Sequence, residues 1–97
     1  MRIFNNATLL EHRSRYPASD HALRLWQKLV KKAKWQSSAD LKKSYPTASI
    51  VSSTVVVFNI HHNDYRLIVR INYDKQRVFI RFFGTHKEYD KVNATEV

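Results

Sequence analysis

The apolar residues of this chain change their period part-way along, and that change limits the folds open to it. Before about Ser49 they recur at i, i+3, i+4 and i+7, and after it they alternate. A period near 3.6 lays one stripe along a helix, whereas a period of 2 fills one face of a strand. Helices therefore come first and a sheet follows. The expected class is α+β, with N-terminal helices packed on one face of a small antiparallel sheet and a short helix at the C-terminal end.

In the first half, Arg2-Ile3-Phe4 reads as a short opening strand. Asn5 or Asn6 then caps a helix to about Arg15, because Pro17 disfavours helical geometry at Tyr16. A second helix starts at Ser19 or Asp20, with Ala22, Leu25, Trp26, Leu29, Val30 and Ala33 on its buried stripe. Arg24, Lys28, Lys31, Lys32 and Lys34 fall off that stripe, making either a solvated face or one for RNA or ribosome contact. Ser38 caps a third, short helix through Lys43 that ends before Pro46. In the second half, Thr54 to Ile60, Tyr65 to Tyr73 and Arg77 to Gly84 read as three antiparallel strands, and Ile50-Val51 is a candidate fourth. The connections His61-His62-Asn63-Asp64 and Asp74-Lys75-Gln76 are short enough for hairpins. No linker or repeat interrupts the 97 residues, so 1–97 is read as a single domain.

Charge narrows the partners. Lys and Arg number 17 against 8 Asp and Glu, a formal charge of +9, which calls for a polyanion: nucleic acid or an acidic protein. The absence of cysteine excludes a disulfide framework, a thiolate metal site and a cysteine nucleophile. One glycine is too few for a phosphate-cradling glycine loop. No stretch is apolar for long enough to be a signal peptide or a membrane span, so a cytoplasmic protein without membrane contact is expected. His61 and His62 with Asp64 lack an evident third ligand, and no metal is assigned to them. His12 and His21, among charged helical residues, read as surface histidines.

The sheet half carries the chemistry. Alternation sets Tyr65, Leu67, Val69 and Ile71 on one face and Arg66, Ile68, Arg70 and Asn72 on the other. On the last strand, Val78, Ile80 and Phe82 share a face opposite Arg77, Phe79, Arg81 and Phe83, and Asn59 alternates with Phe58 and Ile60. Helices take the apolar face, which leaves Arg66, Arg70 and Arg81 on an open one. Gly84 then turns the chain, and Thr85 enters a short helix with Glu88 completing a capping box. His86 and Tyr89, three residues apart, share a side of that helix beside Lys87. Cations, an imidazole and a phenol together suit metal-independent RNA cleavage by the RNA's own 2′-hydroxyl. The arginines would balance charge at phosphorus, His86 would act as acid or base, and Tyr89 would donate a hydrogen bond or stack on a base. Asn59, Arg70, Lys87, Lys28, Lys31 and Lys32 are candidates for RNA contact. A non-catalytic RNA- or ribosome-binding module would use the same face, and a basic subunit that only binds an acidic protein is a third reading.

Val57-Phe58-Asn59-Ile60, Asn63-Asp64-Tyr65-Arg66-Leu67-Ile68, Phe79-Ile80-Arg81 and Thr85-His86-Lys87-Glu88-Tyr89-Asp90 together resemble the HigB toxins of the RelE superfamily. The similarity runs over nearly the whole chain and includes Leu41-Lys42 before Tyr45-Pro46. The resemblance implies a type II toxin that cleaves messenger RNA in the ribosomal decoding site, with no cofactor. A HigA-type antitoxin carrying a helix-turn-helix domain would hold it inactive, and the complex would repress its own operon, so operator DNA is met only through that complex. Carried over position by position, the catalytic roles fall on Arg66, Arg81, His86 and Tyr89. Lys87 and Asp90 belong to the motif and also suit capping and packing.

Overall fold

The computed structural model describes residues 1–4, 16–62 and 64–97. The helix expected from Asn5 or Asn6 to Arg15, with His12, and the turn residue Asn63 lie outside them. The described elements are β1 (Arg2–Phe4), a 3₁₀ turn (Pro17–Ser19), α1 (Asp20–Lys32), α2 (Ser38–Ser44), β2 (Ser49–Ile50), β3 (Val55–Ile60), β4 (Tyr65–Asn72), β5 (Arg77–Thr85) and α3 (His86–Asp90). The class is α+β, as the change of period requires.

The five strands form one sheet in the order β1-β5-β4-β3-β2. β2 to β5 pair antiparallel in sequence order, and β1 runs parallel to β5, with Ile3 opposite Val78. Phe4 stacks on Phe79 with ring centroids 5.1 Å apart. The Met1 ammonium donates to the carbonyls of Val30 and Ala33 at 2.9 and 2.7 Å, which closes the C-terminal end of α1.

α1 packs on the sheet through Leu23, Trp26 and Val30, all buried. Trp26 meets Phe58 edge-on at 5.5 Å, and Leu67, Val69, Ile71, Val78, Ile80 and Phe83 belong to the same main core. Tyr45 also abuts Phe58, and burial raises its phenol above the ordinary value of 10.0, as it does that of Tyr73. The buried stripe differs from the expected one. Trp26 and Val30 belong to both, but Leu23 sets the rotation of the helix and leaves Leu25 and Leu29 outside. The α2 cap is Ser37 rather than Ser38, its hydroxyl accepting from Asp40 N.

The opposite sheet face is not open, as alternation alone suggests. A second, smaller cluster of Val55, Val57 and Ile68 lies there, covered by Phe82, Tyr89, Val92, Ala94 and Val97. Phe82 reaches that face because the β4–β5 register slips. Ile68 pairs with Phe82 and Val69 with Ile80, so Arg81 is the extra residue of a bulge. Past the bulge the alternation inverts, putting Phe82 opposite Val78 and Ile80 and sending Phe83 into the main core. No helix among the described residues is long and apolar enough to cross a membrane.

Candidate active site

β5 does not turn at Gly84. It runs on to Thr85, and every positive φ in the described chain falls elsewhere, at His61, His62 and Gln76. The glycine answers a steric need instead. A Cβ at Gly84 would stand 2.8 Å from Phe82 Cζ and 3.0 Å from Glu88 Oε1. That space lets α3 fold back tightly on the strand. The capping box is complete: Thr85 Oγ1 accepts from Glu88 N at 3.3 Å, and Glu88 Oε1 accepts from Thr85 N at 3.0 Å. Tyr16 also donates its hydroxyl to Glu88, which ties the helix layer to the start of α3.

The ladder assembles the rest. Arg66 pairs with Asn59 on one side and Gly84 on the other, so strand register brings β4 to the base of α3. The Arg66 guanidinium lies 6.0 Å from the centre of the Tyr89 ring, and its Nη1 donates to the Tyr65 carbonyl at 3.3 Å. Tyr89 is half-buried on the small cluster, whereas His86 and Lys87 are exposed. His86 Nδ1 and Asp90 Oδ2 are 3.1 Å apart across one helical turn, leaving Nε2 as the outward ring atom. Asn59 is half-buried, with its side-chain amide donating to Thr47 O at 3.4 Å.

Arg70 and Arg81 stand further along the face. Arg70 is four residues from Arg66, roughly 13 Å along the strand at about 3.3 Å per residue. Arg81, at the bulge, lies beside the Ile68–Val69 step between them. Both reach the C-terminal segment: Arg70 Nη2 donates to Thr95 O at 2.9 Å, and Arg81 Nε to Val97 O at 3.1 Å. Arg66, Tyr89, Asn59 and the start of α3 are thus drawn together, while Arg70 and Arg81 form a second group under residues 92–97. Lys28, Lys31 and Lys32 are exposed on α1, in the layer across the sheet from the arginines, and do not join either group.

One neighbour went unmarked by residue patterns. The β3–β4 tip accepts the His86 amide through Asp64 O at 3.3 Å, and Asp64 Oδ2 lies 2.8 Å from His61 Nδ1. The proximity follows from Tyr65 pairing with Thr85, a long-range register that no local spacing announces. Among the described residues, no three His, Cys, Asp or Glu side chains converge as metal ligands.

A small basic α+β chain with arginines and a histidine–tyrosine helix on one sheet face has the form of a polyanion-directed protein. The chain belongs to the HigB toxin family, the RelE-like toxic component of a toxin–antitoxin system, whose match spans residues 19–92. It is also 24% identical over 94 residues to the mRNA interferase HigB of Escherichia coli O6:H1, covering 95% of this chain and 91% of that protein.

Proposed function

We propose that this chain is an endoribonuclease that cuts messenger RNA on the ribosome, needs no metal ion for the cut, and is neutralised by a HigA-type helix-turn-helix antitoxin. The observation that carries this reading is the Arg66 guanidinium facing the Tyr89 ring on α3, the short helix that also carries the His86–Asp90 pair. Family membership and the similarity to an mRNA interferase support the same reading. Arg66 holds the scissile phosphate, and Arg81 adds a second cation along the strand. A general base takes the proton of the RNA 2′-hydroxyl, and the 2′-oxygen forms its bond to phosphorus. The bond from phosphorus to the 5′-oxygen breaks, and a general acid returns a proton to that oxygen. The products are a 2′,3′-cyclic phosphate and a 5′-hydroxyl. His86 Nε2 serves one of the two proton transfers, and Tyr89 steadies the phosphate or a stacked base. Asn59, Arg70 and Lys87 contact neighbouring nucleotides.

The test is single-turnover cleavage of a ribosome-bound message at saturating protein. His86→Ala should slow the cut about 10²-fold with ribosome affinity nearly intact. Arg81→Ala should cost about 2–4 kcal/mol of transition-state stabilisation. Wild-type rates from both His86→Ala and Tyr89→Phe would remove α3 from the catalytic assignment. A wild-type chain that binds ribosomes and leaves no cut ends would instead be a non-catalytic binding module.

A further inference from the structure

The rotation of α1 leaves Leu25 54% and Leu29 41% exposed, one helical turn apart. With Tyr45 they floor a groove of about 560 Å³ between α1 and α2, rimmed by Lys28 and Lys32. A second hollow of about 460 Å³ shares Leu29, Lys32 and Ser44 with the first and extends it towards Trp35 and Lys43. Among the described residues, Asp40 is the one carboxylate lining this trough, and the Gln36 amide is bonded to it at 3.0 Å. The result is an apolar floor between cationic rims.

We propose that this trough seats an acidic amphipathic helix of the antitoxin. Apolar residues on one side of that helix rest on Leu25, Leu29 and Tyr45, and its carboxylates meet Lys28 and Lys32. The inference rests on the toxin–antitoxin reading above and adds the surface and the chemistry of the partner. The trough itself narrows the choice of occupant. RNA gains little from it, since Tyr45 is half-buried against Phe58, Trp35 is buried, and no arginine lines the trough to fork onto a phosphate. A second copy would bring lysine rim against lysine rim between chains of +9 each. The chain's own C-terminal segment is docked elsewhere, with Val92, Ala94 and Val97 on the far face of the sheet. An acidic amphipathic helix satisfies both the floor and the rims.

The experiment measures the affinity of the cognate HigA-type antitoxin for four forms of the full chain, each checked by its melting temperature. Leu25→Asp/Leu29→Asp should weaken binding roughly thirtyfold or more and still arrest growth when expressed alone. Lys28→Glu/Lys32→Glu should weaken it too, by a larger factor at low salt than at high. Arg66→Ala should bind as wild type does. Hydrogen exchange on the wild-type complex should show protection across residues 25–32 and 41–45, a readout free of any variant. Undiminished binding by the leucine variant overturns the proposal, as does protection confined to the Arg66–Arg81 face. A leucine variant that keeps the antitoxin and loses the ribosome would make the trough a nucleic-acid surface, which also overturns it. If the wild type neither binds this antitoxin nor arrests growth, the functional reading fails and takes this one with it. Wild-type binding combined with an indifferent leucine variant sinks the trough alone.

Discussion

Arg66 and Tyr89 meet through backbone register, with Arg66 opposite Gly84 and Tyr89 one turn into the helix that follows. Tyr89 does two things at once: its ring covers Val55, Val57 and Ile68, and it faces the Arg66 guanidinium. Its two substitutions therefore separate. Tyr89→Ala should lower unfolding stability by about 2–4 kcal/mol through lost packing, whereas Tyr89→Phe should melt within a degree or two of wild type. Any slower cleavage by the phenylalanine variant then reports on the hydroxyl alone. A second residue-scale expectation concerns pH. Burial raises the Tyr45 phenol in the folded state, so between pH 10.0 and that higher value the folded chain binds more protons than the unfolded one. Stability from this group is present in full below pH 10.0 and is lost as pH climbs through the folded value. Urea titrations of wild type and Tyr45→Phe above pH 10.0 should show a shallower decline for the variant; parallel declines would refute the burial account.

At the scale of elements, β5 and α3 form one unit whose junction depends on a missing Cβ. Gly84→Ala should cost about 1–3 kcal/mol, because the added methyl meets both the Phe82 ring and the Glu88 carboxylate that caps α3. Thr85→Ala should cost about 1 kcal/mol, fray α3 and slow cleavage in proportion. Chemical denaturation of the two variants checks both figures. Most of these elements were legible from residue patterns, since each strand alternates long enough for its period to show and Thr85-x-x-Glu88 is a local signal. The bulge was not legible. Ile80-Arg81-Phe82-Phe83 alternates no less well with Phe82 inward than with Phe83 inward, and only pairing with Ile68 and Val69 decides. The helix stripe was ambiguous for a similar reason: Trp26 and Val30 fit two overlapping stripes, and the sheet beneath selected the one containing Leu23. In the site, the group around Arg66 could be anticipated from alternation, whereas the contacts of Arg70 and Arg81 with Thr95 and Val97 could not. Those join residues 25 and 16 positions apart, through a segment with no regular period.

For the molecule as a whole, +9 in 97 residues should make ribosome affinity fall steeply with salt. The slope of log K against log salt should be roughly −0.7 to −0.9 per phosphate contacted, and an affinity flat between low and moderate salt would remove the electrostatic account. The sheet order adds a consequence in time rather than in space. β5 is the last of the five described strands in chain order, yet it sits between β4 and β1 and joins residues 2–4 to residues 77–79. A sheet whose inner strand follows the strands it joins closes late, and its long-range pairing makes closure slow. His86 and Tyr89 follow β5, so the candidate site takes shape only once that strand has paired. Closing the sheet and assembling the candidate site are thus one late event in folding.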